Sequence, residues 1–521
     1  MITSSAFDIL GPVMVGPSSS HTAGALRLAR FALSLLKAPV KHAAFTLYNS
    51  FSQTYQGHGT DRALLGGILG FSPADPRVAK SPEFAKESGI TWEFIPAGDN
   101  ASLHPNTIDI TLTAVNDVSV SIRGESVGGG RIHVSSIDGI TVNIDGKLPT
   151  LIVVHYDIPG MLALMTQALG NAQVNIAFMS SYRTEPGQLA YAVFETDSLV
   201  PEFVINKIEH IEHVLGVHSV QLEGTNIRTP SNTSAYDFDT AQDLLDLCET
   251  YKVSIGEIIA RREHELFGPV TDTRIAEVLD VMRKEVHEPL ETPLRSLGGF
   301  IGGEARRFSD WQQSNNALGG TMLAKACTYA LAVLERSATM GVIVAAPTAG
   351  SSGVVPGSLL SCAEELNLSD EVLTEGLYTA AGIGMLCERW ASISGAEGGC
   401  QAEVGTASAM AAAALATMMG EDAKTSFCAA EITIANMLGL VCDPVQGLVE
   451  IPCQIRNAAG VANAFTACDL ARANISLPIP FDEILSTMAQ VGKAMPSTLR
   501  ETAQGGLATC PSVCKGCLLG V

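Results

Sequence analysis

Three cysteines are the residues of this chain best placed to do chemistry. Cys400 stands in SGAEGGCQAEVG (394–405), while Cys442 and Cys453 lie within GLVCDPVQGLVEIPCQIRNAAG (439–460). All sit in glycine- and proline-rich turns beside polar residues, inside a region that is otherwise small and apolar. Thiolates held in this way describe a soft-metal site, and three rather than four describe a site with one open position. A zinc finger does not fit, because Cys400 and Cys442 are far apart and no histidine follows to complete one. The loop CDPVQGLVEIPC could wrap an extended object such as an iron–sulfur cluster. The run after Cys453 would then start a helix whose free N–H groups face the cluster sulfides. The competing reading is that these thiols are small buried hydrophobes, like Cys362 or Cys387.

A second group lies near the N-terminus. In GPSSSHTAG (16–24), three serines and His21 run into a stretch where Leu26, Ala29, Leu33 and Leu36 recur at helix spacing. A serine-rich turn entering a helix offers N–H groups, hydroxyls and a positive dipole end, which suits a carboxylate or phosphate. Ordinary capping, for which one serine suffices, is the alternative. His58 stands between two glycines in GHGTDRALLGGILG (57–70), at a helix entrance that a ligand could approach closely, although many histidines in turns do nothing. The two residue types are segregated: all 12 cysteines lie from Cys248 to Cys517, and all 11 histidines from His21 to His287. Chemistry needing both thiolates and an imidazole must be assembled across domains.

The elements that would position these residues follow from composition and pattern. A chain of 521 residues is too long for one core, so roughly two to four domains are expected. An apolar content of 46% with 17% charged residues describes a well-buried globular protein. The net charge of −22 argues against a nucleic-acid backbone or an anionic membrane surface as partner. The start MITSSAFDILGPVMVG is not a signal peptide, and SAMAAAALATMMG (408–420) is too short to span a bilayer. A cytoplasmic protein with reduced cysteines is expected.

The expected fold is multidomain. Residues 1–147 read as an α+β domain whose strands, near 41–51, 107–115, 118–126 and 131–139, build a mainly antiparallel sheet. Residues 148–224 follow the order βαββαβ of a ferredoxin-like module, with a helix over Met161–Leu169 and another entered through Pro201. With no cysteine and no clustered acids, that module suits regulation or interaction. Polar, turn-rich residues 225–239 mark a linker. Residues 240–521 read as an all-α domain. There Ile275, Val278, Leu279, Met282 and Val286 share one helix face, with Pro289 as the stop.

Family likeness sharpens these expectations. AAPTAGSSGVVPG (345–357), SGAEGGCQAEVGTASAMAAA (394–413), CDPVQGLVEIPC (442–453) with RNAAG, and ETAQGGLA (501–508) resemble the catalytic domain of iron–sulfur-dependent bacterial L-serine dehydratases. GPSSSHTAG, GHGTD and LHPNT (103–107) resemble that family's other catalytic domain, and residues 155–183 resemble an ACT domain. The resemblance covers nearly the whole chain. It implies a [4Fe-4S] cluster held by Cys400, Cys442 and Cys453, with one iron left for L-serine, and elimination to aminoacrylate and then pyruvate plus ammonia. It implies a carboxylate site at Ser18, Ser19, Ser20, His21 and Thr22, closed from the helical domain by Thr348, Ala349, Gly350 and Ser351. His58 is then the expected base, with His104 second.

Some single-chain relatives return a terminal cysteine to the fourth iron. This chain ends TCPSVCKGCLLGV, so Cys517 is the expected tail ligand, a tail thiol without structural consequence being the alternative. Asp157, Pro159, Gly160 and Asn175 match the usual amino-acid-binding positions of ACT domains. L-serine is the expected ligand and a homodimer the expected assembly, with dimerisation without ligand as the alternative. A pyridoxal-phosphate lyase would reach the same product. However, Lys325 is the only lysine of the helical domain near a glycine pair, and no phosphate-cradling turn backs it, so no pyridoxal phosphate is expected. A non-catalytic redox sensor would use the cysteines and the ACT-like module, but would leave GPSSSHTAG and GHGTD without a role.

Overall fold

The computed structural model describes residues 4–183, 185–222 and 234–513. The period-two stretches of the N-terminal region form a six-stranded sheet in the spatial order Thr91–Gly98, Val40–Tyr48, Thr107–Ala114, Ser119–Gly128, Arg131–Ile137, Ile140–Ile144. Every pairing is antiparallel except the first, in which Thr91–Gly98 runs parallel to Val40–Tyr48. Sequence pattern does not announce that strand, because TWEFIPAG carries Pro96 and stays largely exposed, as an edge position allows. The face bearing Phe45, Leu47, Ile110 and Ile122 is buried with residues of the helices Ala25–Ser34 and Thr60–Ile68.

The βαββαβ order is present as Thr150–Tyr156, Met161–Asn171, Ile176–Arg183, Leu189–Thr196, Glu202–Glu209 and Val214–Val220. Its antiparallel sheet runs Val214–Val220, Thr150–Tyr156, Leu189–Thr196, Ile176–Arg183. Strand alternation here serves two cores at once. Leu151, Val153, Ala192 and Phe194 pack on the module's own helices, while Ile152, Tyr191 and Val193 join the core of the six-stranded sheet.

From Ala241 onward the described residues are helical, with one departure from the all-α expectation. The short strand Val342–Val344 pairs antiparallel with Val13–Val15 from the other end of the chain. Phe7, Ile9 and Leu10, just before that N-terminal strand, and Met14 within it pack into the helical core. The helix Val270–Glu291 also runs past Pro289 instead of stopping there. In a last turn a missing N–H removes only one bond, so proline is tolerated. At the centre lies Thr406–Met418, buried along its whole length, whose alanines let neighbouring helices come close. No helix among the described residues is long and apolar enough to cross a membrane.

Candidate active site

A cavity of about 180 Å³ lies between the N-terminal and helical regions, and both contribute to its wall. Ser18, Ser19, Ser20, His104 and Arg131 line it from one side; Thr348, Ala349, Gly350, Glu403, Cys442, Cys453 and Glu501 line it from the other. Drug-sized ligands occupy roughly 300–1,000 Å³, so this space suits a small metabolite.

The serine turn opens a continuous helix in which a π-helical turn over Ser19–Gly24 passes into Ala25–Ser34. Ser18 is its N-cap, and its Oγ accepts the His21 N–H at 3.0 Å. Capping therefore uses one serine and leaves two. Ser19 Oγ accepts the Ala349 N–H across the interface at 3.0 Å, and Ser20 Oγ lies 3.0 Å from His21 Nδ1. Thr22 is buried and donates its hydroxyl to the His58 carbonyl at 2.8 Å, tying the turn to the GHGTD segment.

His21 is buried too, with Nε2 2.8 Å from Ser50 Oγ and its ring 4.4 Å from that of His58. Burial, and then the neighbouring His58, hold its pKa well below the ordinary imidazole value. His58 is 3% exposed and neither ring nitrogen has a hydrogen-bond partner among the described residues. Burial lowers its pKa to about 4, opposed weakly by the Thr54 carbonyl. Both rings are therefore neutral at neutral pH. The glycines beside His58 admit protein rather than ligand. A Cβ on Gly57 would lie 2.1 Å from Leu448 Cδ2, and one on Gly59, at φ +64°, 2.6 Å from Met340 Sδ. His58 thus sits behind His21 and outside the cavity wall. His104 does line the cavity. Its Nδ1 accepts the Asn106 N–H at 3.1 Å, so the neutral ring carries its proton on Nε2.

On the helical side, Thr348 donates to Glu403 Oε1 at 2.8 Å and lies 3.1 Å from Ser351 Oγ. Asn457 fixes this turn, accepting the Gly353 N–H at 3.0 Å and donating to the Gly350 carbonyl at 2.8 Å. Cys400 precedes a π-helical turn over Gln401–Gly405, Cys442 bridges to Arg500, and Cys453 starts the helix Cys453–Arg472. All three are buried free thiols. Cys400 Sγ, Cys442 Sγ and a Glu403 oxygen lie within 4.8 Å of one another. The hydrogen-bonded Cys400, then burial, push the Cys442 thiol up; burial, then Cys400 and Glu403, do the same to Cys453. Thiols crowded in this way resist joint ionisation until a cation joins them, which is what a soft-metal site supplies. Arg456 adds a fixed positive charge, its Nη1 3.6 Å from Cys400 Sγ and 2.8 Å from Asp443 Oδ1. Cys400, Cys442 and Glu403 form a donor set that fits a metal centre, and Cys453 stands outside that 4.8 Å group while lining the same cavity.

Other expected positions lie elsewhere. Asp157 pairs with Arg183 at 2.9 Å, and Asn175 donates to Asp197 at 2.5 Å. The turn holding Asp157, Pro159 and Gly160 and the one holding Asn175 flank opposite ends of the 11-residue helix Met161–Asn171, roughly 16 Å apart along its axis. Lys325 is engaged by Glu364 and Glu365 at 2.8 and 2.9 Å, away from the cavity. Cys514 and Cys517 lie outside the described residues, and Cys510 is half-buried off the cavity wall. Sequence reasoning missed Glu403, Arg456 and Glu501. For Glu403 a signal existed, since three residues after Cys400 a helical start returns to the same face.

Comparison with known proteins agrees with this two-sided arrangement. Residues 5–136 match the family model "Serine dehydratase beta chain", and residues 250–508 match "Serine dehydratase alpha chain". The L-serine dehydratase alpha chain of Peptoniphilus asaccharolyticus is 42% identical over 273 residues, 52% of this chain and 94% of that protein. The L-serine dehydratase of Helicobacter pylori strain J99 is 31% identical over 518 residues, covering 96% of this chain and 98% of that one. L-serine dehydratase TdcG of Escherichia coli K12 is 30% identical, covering 97% and 98%. Both halves of the cavity, the serine turn and the cysteine loops, fall within the matched stretches, and the chain belongs to the serine dehydratase family as a single-chain member with beta-chain and alpha-chain parts fused.

Proposed function

We propose that the chain is a cytoplasmic L-serine ammonia-lyase that eliminates water from L-serine to give aminoacrylate, which tautomerises and hydrolyses to pyruvate and ammonia. One observation carries the reading: two buried thiols, Cys442 and Cys453, and a serine-rich helix N-terminus, from opposite parts of the chain, line one small cavity, with Cys400 Sγ within 4.8 Å of Cys442 Sγ just behind its wall. The full-length relatives named L-serine dehydratase support it. In this reading Cys400, Cys442 and Cys453 hold a [4Fe-4S] cluster and no pyridoxal phosphate is used. When bound, the cluster supplies a Lewis acid for the departing β-hydroxyl.

The remaining work falls to side chains and backbone. The first N–H groups of the helix at Ser18–Ser20 bind the substrate carboxylate, with His21 and Thr22 fixing the turn. Thr348–Ser351 closes the opposite side, joined to it by the Ala349–Ser19 bond. Hydroxide is a poor leaving group and the α-proton is weakly acidic, so proton removal needs a neutral base with a free lone pair. His58 is neutral with no hydrogen-bond partner on either ring nitrogen among the described residues. Since it sits outside the cavity wall with its ring 4.4 Å from that of His21, its role as base requires the site to tighten around bound substrate, as catalytic contacts often do. His104, with Nδ1 committed to Asn106, serves as a donor from Nε2.

The βαββαβ module is ACT-like in this reading. Because Asp157–Gly160 and Asn175 face opposite ends, one amino-acid ligand touching both needs two copies, which favours a homodimer with L-serine as effector. Anaerobic purification tests the main assignment. A brown protein making pyruvate from L-serine without added pyridoxal phosphate supports it, and a colourless active protein rejects it.

A further inference from the structure

We infer that Glu501 accepts the ammonium group of the amino-acid substrate, and that the C-terminal strap exists in part to deliver it. The inference rests on reading the cavity as an L-serine site. The strap is stitched to the cysteine loop by its backbone. Cys442 N–H donates to the Leu499 carbonyl at 2.9 Å, and Glu501 N–H to the Cys442 carbonyl at 2.8 Å. Further on, Asp443 Oδ2 accepts the Leu507 N–H at 2.7 Å. Between these anchors Glu501 is held at φ +61°, a left-handed conformation disfavoured for a residue with a β-carbon. From there it lines the cavity.

The charges around the cavity single it out. Four carboxylates line the wall: Glu388, Glu397, Glu403 and Glu501. Glu388 is paired with Arg131 at 2.9 Å, and Glu397 accepts the Ser392 hydroxyl at 2.7 Å. Glu403 accepts the Thr348 hydroxyl at 2.8 Å and lies 3.8 Å from Cys442 Sγ. Glu501 has no side-chain partner among the described residues. Burial and then the neighbouring Glu403 raise its pKa to about 8, opposed by the Ala396 N–H, so an arriving ammonium group would supply the positive charge that its ionised form lacks. Cations are scarcer, since Arg131 is taken by Glu388 and burial keeps His104 neutral. Across the space stands the anion-binding helix end at Ser18–Ser20. A zwitterion that places its carboxylate there turns its ammonium toward the wall built by the helical region, where Glu501, unlike the other three carboxyl groups, has no side-chain partner among the described residues. The residue would make the site select α-amino acids over the corresponding hydroxy acids that lack the amino group.

The test is steady-state kinetics on anaerobically purified holoenzyme, comparing the KM for L-serine with the inhibition constant of 3-hydroxypropanoate, the same skeleton without nitrogen. Loss of one charge-assisted contact in Glu501→Gln should raise the KM by roughly ten- to a hundredfold and leave the inhibition constant within about twofold. Both constants are independent of how much enzyme is active. Glu501→Gly removes the carboxylate and the left-handed strain together, so it folds even where glutamine does not, and the same divergence is expected. A KM within about twofold of wild type in either variant, or an inhibition constant rising in step with the KM, overturns the assignment. Absence of pyruvate from the wild type would instead remove the L-serine reading, and this inference with it.

Discussion

His58 pairs two features that rarely coexist, full burial and two unsatisfied ring nitrogens. With its pKa near 4 in the folded chain and an ordinary value of 6.5, the unfolded chain binds more protons between those limits. Stability owed to the neutral ring is therefore complete above about pH 6.5 and is lost as pH falls toward 4, by about 3 kcal/mol in total. Urea unfolding should show wild type losing about 2–3 kcal/mol more than His58→Asn between pH 7 and 4.5; parallel losses would contradict this. In catalysis, His58→Ala should cut turnover by roughly 10²- to 10⁴-fold while the visible absorbance of the loaded enzyme stays intact. Normal activity would remove it as base. The two glycines that single out His58 are plain in the sequence, but their use is not. Only the fold shows that Leu448 and Met340, far along the chain, occupy the space a ligand was expected to use.

At the scale of elements, the loop carrying His104 depends on a residue that no pattern marks. Asn49, at φ +49°, donates to the carbonyls of Asn100 and His104 at 3.1 Å each and accepts the Asn100 N–H at 2.6 Å. Its neighbour Ser50 donates its N–H to the Pro105 carbonyl at 2.9 Å and places its hydroxyl 2.8 Å from His21. This dipeptide therefore sets the spacing between the serine turn and the His104 loop. Glycine tolerates the same backbone, so Asn49→Gly removes the bonds alone, at a cost of about 1–3 kcal/mol. Amide exchange over residues 100–106 should quicken by roughly tenfold or more, with a matching fall in kcat/KM; unchanged exchange would show that the loop is held by other means. Elements with strong local periodicity were legible: the helix after the serine turn, four strands of the six-stranded sheet (not Thr91–Gly98 or the short Ile140–Ile144), and the βαββαβ order. Thr91–Gly98 was not, because an edge strand can carry proline and exposed residues, and Pro289 misled because a last turn forgives it.

At the scale of the whole molecule, the uneven placement of cysteine and histidine pointed to a site shared between regions, and the cavity wall has that composition. What joins the regions was not legible, because the joining segment precedes the region it would be grouped with. Phe7, Ile9, Leu10 and Met14 lie in the helical core, and Val13–Val15 pairs with Val342–Val344. Each of those four side chains contributes about 1.5–3 kcal/mol by burial. Near the site, Met340 and Leu448 pack against Gly59 and Gly57, and the polar contacts Ser19 to Ala349 and Arg131 to Glu388 are each worth about 1 kcal/mol. Together these remain less than the four buried side chains of the N-terminal segment with its strand pairing. The N-terminal segment, and not the site, should therefore dominate cohesion. If the chain is divided between Leu222 and Ser234 and the halves are produced together, they should co-purify and retain turnover. Removing residues 1–15 from the first half should abolish co-purification. Turnover should go with it, because thiols and serine turn would then sit on separate molecules. A truncated half that still binds its partner would place the dominant contact at the cavity, and the four apolar side chains would then hold the regions together less than their burial implies.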